Sequence, residues 1–324
     1  MSEEPSMPTL PRRRFLTGMA AMTVATAASP FASSQSTSPF RVSVINDEIS
    51  QNFAHACEVA AHDFGMHWIE LRSMWDKNIV ALDEKEIAET RRLLDKYHLK
   101  VTDIASPLFK VDWPGAPKST YSEAKSFNAD YNMSQQDEVL ERAIALAKTF
   151  KTDRVRCFDF WRLEDQAPYR EAMNEKLREA AAKVAKQGMI LVLENEPACN
   201  TATAQEAVKV LSALQERSFM LNWDPGNAGA SGEIAYPDGY NLLPKDRIGH
   251  CHCKDVIKKG AKFDWAPMGG GIIDWAGQFK ALKRDGYRFA VSLETHWHGA
   301  GTPEQSSRKS WAGMKKQLQE AEAL

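Results

Sequence analysis

Eight short apolar runs, each followed by an amphipathic stretch, predict a (β/α)8 TIM barrel over residues 39–324 of this 324-residue chain. The runs are apolar on both faces, as buried parallel strands are. Four of them end in a carboxylate or an imidazole, at the end of the strands where barrels build their sites. A doubly wound open sheet is the alternative use of the same elements. No Gly-x-Gly-x-x-Gly follows a strand, which removes the dinucleotide-binding version of it.

Residues 1–38 read as an export signal and linker. Arg12-Arg13-Arg14-Phe15-Leu16 fits the twin-arginine pattern, an apolar stretch runs from Phe15 to Ala28, and small residues near Ala25–Ala28 allow cleavage. The stretch is too short and too polar for a stable membrane span, so a periplasmic or secreted product is expected. Ser33–Ser38 is a polar linker.

Strands are then expected at Arg41–Asn46, His67–Leu71, Leu99–Ala105, Arg154–Phe158, Met189–Glu194, Phe219–Asp224, Arg247–Cys253 and Arg288–Glu294. Helices are expected at Asn52–Phe64, Asp83–His98, Ser134–Phe150, Pro168–Gln187, Ala204–Glu216, weakly at Gly239–Leu243, and at Trp275–Arg284 and Pro303–Ala323. Several stop at glycine (Gly65, Gly188, Gly286), and starts fall near Ser, Asp or Pro. Ser106–Met133 is the longest irregular stretch, rich in Trp, Pro, Tyr and Phe, and reads as a cover over the barrel mouth.

Composition is that of a globular protein, with 43% hydrophobic and 26% charged residues and a formal net charge of −2. Acidic and basic residues are interspersed and no basic block occurs, so nucleic acid is not an expected partner. The five cysteines show no disulfide spacing. His250-Cys251-His252-Cys253 invites a zinc reading. Strand alternation sends the two His to one face and the two Cys to the other, so Cys251 and Cys253 are expected to pack beneath helices.

Leu191-Val192-Leu193-Glu194, Leu221-Asn222-Trp223-Asp224, His250-Cys251-His252 and Ser292-Leu293-Glu294 bring four metal-competent side chains to one face of the barrel. A carboxylate that directly follows an apolar run is costly to bury ionised, and a shared cation removes that cost. Glu194, Asp224, His252 and Glu294 form a hard, oxygen-rich set suited to one divalent metal ion, Mn²⁺ first, with Mg²⁺, Co²⁺ or Zn²⁺ as alternatives.

With these residues in place the chain resembles the xylose-isomerase-like barrels, which include sugar isomerases and epimerases, inosose dehydratases and metal-dependent apurinic-site endonucleases. The marks are Asn46-Asp47-Glu48-Ile49-Ser50, Ile69-Glu70-Leu71-Arg72, Leu193-Glu194-Asn195, Asp224-Pro225-Gly226-Asn227, His252-Cys253-Lys254-Asp255, Gly269-Gly270-Gly271-Ile272-Ile273-Asp274-Trp275 and Ser292-Leu293-Glu294. The resemblance implies that Glu194, Asp224, His252 and Glu294 are metal ligands and that Glu194 and Glu294 also pass the proton. Many relatives carry His three residues after the Asp, where this chain has Asn227, which cannot titrate.

A metal-polarised carbonyl flanked by carboxylate bases suits proton abstraction, with epimerisation, isomerisation or dehydration as outcomes. The expected substrate is a carbohydrate: a ketose, cyclitol or keto-glycoside. Expected substrate contacts are Glu70, Arg72, Arg156, Asn227, His250, Lys254 and His296, with Phe109, Trp113, Phe160 and Trp161 able to stack on a sugar face. His250 either lines the site or is satisfied in the core, and Glu48 and Glu70 either meet substrate or form ion pairs at the rim. His296-Trp297-His298 offers a second metal position. A metal phosphoesterase and a non-catalytic sugar-binding barrel are the competing functions, and homo-oligomer formation is left open.

Overall fold

The computed structural model describes residue 1 and residues 38–122 and 131–324. The proposed export signal, and residues 123–130 of the stretch expected to cover the mouth, lie outside the described residues.

Eight parallel strands form one sheet: β1 (Arg41–Val44), β2 (Trp68–Leu71), β3 (Lys100–Leu108), β4 (Arg154–Cys157), β5 (Ile190–Glu194), β6 (Phe219–Trp223), β7 (Ile248–Cys253) and β8 (Ala290–Leu293). Their order is β1-β8-β7-β6-β5-β4-β3-β2, and an isolated parallel bridge between Ile45 and Glu70 joins its two ends into a nearly closed barrel. The helices are α1 (Phe53–Glu58), α2 (Glu84–Lys96), α3 (Gln136–Phe150), α4 (Arg170–Ala185), α5 (Ala204–Ala213), α6 (Pro225–Ala230), α7 (Trp275–Arg284) and α8 (Pro303–Glu320). Among the described residues no helix is long and apolar enough to cross a membrane.

Strand alternation decides what lies where. Val42, Val44, Ile69, Leu71, Leu191, Leu193, Leu221, Cys251, Cys253, Val291 and Leu293 belong to the main apolar core, between strands and helices. Cys251 and Cys253 therefore pack as small apolar groups, as their spacing predicts. The intervening residues turn to the barrel axis and are unusually polar: Ser43, Glu70, Asp103, Arg154, Arg156, Asn222, His250, His252 and Ser292 are all buried.

Three features depart from the sequence reading. The sixth unit carries α6, which the periodicity does not announce, and the helix expected near Gly239–Leu243 follows it as Tyr240–Leu242, adjoining a helical turn over Ala235–Gly239. In α6, Pro225 occupies the first helical turn, where its missing N–H costs nothing, and Asp224 is the N-cap. β3 runs three residues beyond its expected end, through a register shift between Ile104 and Leu108. An antiparallel hairpin, Asp255–Lys259 with Lys262–Ala266, follows β7 directly. The Asp255 carboxylate anchors it by accepting from the backbone N–H groups of Val256, Gly269, Gly271 and Ile273 at 2.9–3.3 Å.

Candidate metal centre

The structure brings Glu194, Asp224, His252 and Glu294 together. Each offers one ligand atom within 4.8 Å of the others, and all four residues are buried. His252 sits near the middle of the group. Its Nδ1 lies 3.2 Å from Glu194 Oε1, 3.2 Å from Glu294 Oε2 and 3.8 Å from Asp224 Oδ2. The caps and strand ends do the positioning. Asp224 Oδ1 accepts from Asn227 N at 2.9 Å as it starts α6, which turns Oδ2 toward the centre. Asn195 grips the Asp224 backbone from both sides, accepting from its N–H at 2.8 Å and donating to its carbonyl at 2.9 Å.

Each donor is held from behind. Glu70 Oε1 lies 3.0 Å from His252 Nε2, and its Oε2 lies 2.9 Å from His250 Nε2. A carboxylate behind an imidazole fixes which ring nitrogen faces forward, here Nδ1. Arg156 Nη1 donates to Glu194 Oε2 at 3.0 Å, while its other nitrogens donate to the carbonyls of Ala105 and Ser106. Arg72 donates to Glu294 Oε1 and Glu48 Oε1, both at 2.7 Å, and to Asp47. Lys254 Nζ lies 2.5 Å from Glu294 Oε2 and 2.7 Å from Asp224 Oδ2. Asn227 Nδ2 donates to Glu194 Oε1 at 3.3 Å.

These contacts relocate several expected substrate residues. Glu70 and His250 lie behind His252, paired to each other inside the barrel, and do not line the mouth. Arg72 and Arg156 spend their donors on the carboxylates and on backbone. His296 stands at the rim, its Nε2 3.5 Å from Glu294 Oε1 and its ring 5.3 Å from that of Trp265. His298 is exposed and belongs to none of the donor groups found among the described residues, so the strip His296-Trp297-His298 is not brought together as a metal position there. A second donor group, Glu48, Glu294 and His296, does lie together, but the Arg72 guanidinium already occupies its two carboxylates. Phe109 and Trp113 both pack on Phe160, with ring centroids 5.0 and 4.7 Å from its ring. Reading the sequence missed Asp47, Asn195 and Trp265 as parts of the site. The first two stood inside the quoted motifs; Trp265 depended on the unforeseen hairpin.

Charge is unequally distributed among the donors. Burial pushes the Glu194 carboxyl up, but His252 and Arg156 outweigh it and hold it at about 2. Burial likewise opposes ionisation of Glu294, and Lys254, His296 and His252 overcome it, leaving that carboxyl well below the usual range. Asp224 goes the other way. Burial lifts it to about 7, aided by repulsion from Glu294 and Glu194 and opposed by Lys254. For His252, burial favours the neutral ring, yet the surrounding carboxylates raise its pKa well above normal. A convergent set of three carboxylates and one imidazole fits a divalent cation.

The profile of the xylose isomerase-like TIM barrel family matches residues 59–317. The chain belongs to that family. Comparison with curated proteins finds no match. Among solved structures, the probable 3-DHS dehydratase AsbF from Bacillus anthracis aligns at a TM-score of 0.63 and 19% identity, covering 85% of this chain and 97% of that one. The IOLI protein with a bound zinc atom aligns at 0.64 and 16%, covering 88% and 99%. A xylose isomerase-like TIM barrel protein from Mycobacterium smegmatis in complex with magnesium aligns at 0.62 and 16%, covering 88% and 98%. At these identities the likeness is one of fold.

Proposed function

We infer that the protein is a divalent-metal-dependent sugar isomerase or epimerase, acting by proton abstraction next to the carbonyl of a ketose, cyclitol or keto-glycoside. The observation that carries this reading is the convergence of four hard donors, from the ends of β5 to β8, within 4.8 Å of one another. Glu194, Asp224, His252 and Glu294 would hold the ion, with Mn²⁺ favoured by the oxygen-rich set. The bound magnesium and zinc of two fold neighbours support a metal at such a site. A divalent ion there supplies the charge that stabilises an enediolate.

The protein's own side chains supply the rest. Glu194 and Glu294 are held ionised and accept a proton from the substrate carbon; their Arg partners, Arg156 and Arg72, fix each carboxylate's direction. Asn227 offers a neutral amide at the place where a titrating His would act, so proton exchange falls to the two Glu. The two guanidiniums beside the donors, Arg72 and Arg156, are each engaged by carboxylates or carbonyls. That arrangement favours an uncharged polyol over a phosphate or a carboxylate, and disfavours phosphoester hydrolysis. The Arg12–Arg14 motif supports a periplasmic site of action.

The test is incubation of metal-loaded protein with ketoses, inososes and 3-keto-glycosides in deuterated water. Deuterium is expected at the carbon beside the carbonyl, and Glu294→Gln is expected to abolish its entry. Loss of water from the labelled substrate would assign the dehydratase outcome. Absence of exchange with every member, together with cleavage of a phosphoester, overturns the reading.

A further inference from the structure

The four donors share their oxygens with a cation that belongs to the protein. Lys254 is fully buried, and its Nζ lies 2.7 Å from Asp224 Oδ2 and 2.5 Å from Glu294 Oε2. Those same two oxygens face His252 Nδ1. A divalent ion bonded to them and to that nitrogen, at the ~2.0–2.2 Å usual for such bonds, stands within a few ångströms of Nζ. Two positive charges that close in a buried site repel strongly, so the ion and the ammonium compete for one place.

The rest of Lys254 is pinned. Its stem crosses the first turn of α6, where a Cβ on residue 226 would come within 2.4 Å of Lys254 Cγ, so Gly226 is the residue that leaves room for it. Its carbonyl accepts from Trp275 Nε1 at 3.2 Å. Only the end of the side chain is left to move. Trp265, carried on the hairpin after β7, covers it with its ring centroid 5.2 Å from Nζ, and an indole face is a favourable neighbour for an ammonium.

We propose that Lys254 is a resident counter-cation that exchanges with the metal: Nζ holds Asp224 and Glu294 in register for loading, and metal binding swings it off those oxygens toward the Trp265 face, where it meets substrate. This rests on the metal-centre reading above and adds a moving part to it. Metal loading and presentation of the ammonium thereby become one event, and Lys254 is a positioning residue for the carboxylates as well as a substrate contact.

The test needs no substrate. Metal-stripped full-length protein is titrated with Mg²⁺, followed by calorimetry and by tryptophan emission. Lys254→Met is expected to bind Mg²⁺ at least tenfold more tightly than the wild type, and Lys254→Gln to move the same way. Mg²⁺ is expected to change the wild-type emission, and that change is expected to vanish in Trp265→Phe and in Lys254→Met. Wild-type or weaker affinity in both Lys254 variants with unaltered circular dichroism overturns the exchange, as does a wild-type emission that Mg²⁺ leaves unchanged or a change that persists in Trp265→Phe. Failure of the wild type to bind Mg²⁺, Mn²⁺ or Zn²⁺ overturns the metal centre and the exchange together; metal binding that Lys254→Met leaves unaltered overturns the exchange alone.

Discussion

Glu70 has both carboxylate oxygens on imidazoles, 3.0 Å from His252 and 2.9 Å from His250, and no exposed surface. Burial opposes its ionisation, but the two histidines hold its pKa well below normal, so it stays an acceptor and keeps Nε2–H of His252 pointing backward. Glu70→Gln replaces one of those acceptors by a donor and unsettles the ring. Metal affinity is expected to fall by about 10–100-fold, read by calorimetry on the stripped protein, with little change in secondary structure. Asp224 contributes the pH dependence. Its carboxyl, lifted to about 7, must lose its proton to ligate. Metal affinity is therefore expected to climb from pH 6 to 8 with release of a proton, and calorimetry in buffers of different ionisation enthalpy measures that release. None of this was legible from Glu70 itself. The sequence places it at the end of a strand, and the partners that make it a support lie on β7, 180 residues away.

α6 and the hairpin after β7 show where element-level reading runs out. Pro225-Gly226 carries the local signature of a break, yet a helix starts there because Asp224 satisfies the orphan amide of Asn227. The hairpin pairs Val256-Ile257-Lys258 with Phe263-Asp264-Trp265 around the left-handed Gly260, in a stretch where periodicity announces no element. By contrast, α2, α5 and α8 were readable because Asp83/Glu86, Thr203/Glu206 and Thr302/Gln305 form capping boxes. The hairpin hangs on the buried Asp255, which collects four backbone amides. Asp255→Ala leaves those donors without their acceptor and is expected to cost about 1–3 kcal/mol. Hydrogen exchange should rise across residues 255–273 while β5 and β6 keep their protection; uniform loss of protection would mean that the hairpin and barrel unfold as one unit.

At the scale of the whole barrel, eight-fold alternation and the polar strand ends were enough to fix the architecture and the face on which the donors meet, since both follow from periodicity. The polar interior was not, because inward residues differ from helix-facing ones only once registers and bulges are known. That interior sets a stability rule. Asp103 is fully buried, and among the described residues neither of its oxygens has a hydrogen-bond partner. Burial and the Glu70 carboxylate push its carboxyl up to about 8, against the pull of Arg156, His252 and Arg154. An unfolded Asp titrates near 3.9. Between about pH 4 and 8 the folded chain thus holds a proton that the unfolded chain has lost, and stability contributed by the neutral acid is present below that window and disappears as pH rises through it, by up to about 1.4 kcal/mol per pH unit. Asp103→Asn keeps the neutral shape at every pH. Metal-free Asp103→Asn is therefore expected to lose less thermal stability than the wild type between pH 5 and 8, a difference of a few degrees in Tm per pH unit. Asp224 weakens both proteins alike over the same range, so the difference between the two curves isolates Asp103. Parallel curves would place the proton elsewhere and show that the carboxyl is ionised within the barrel.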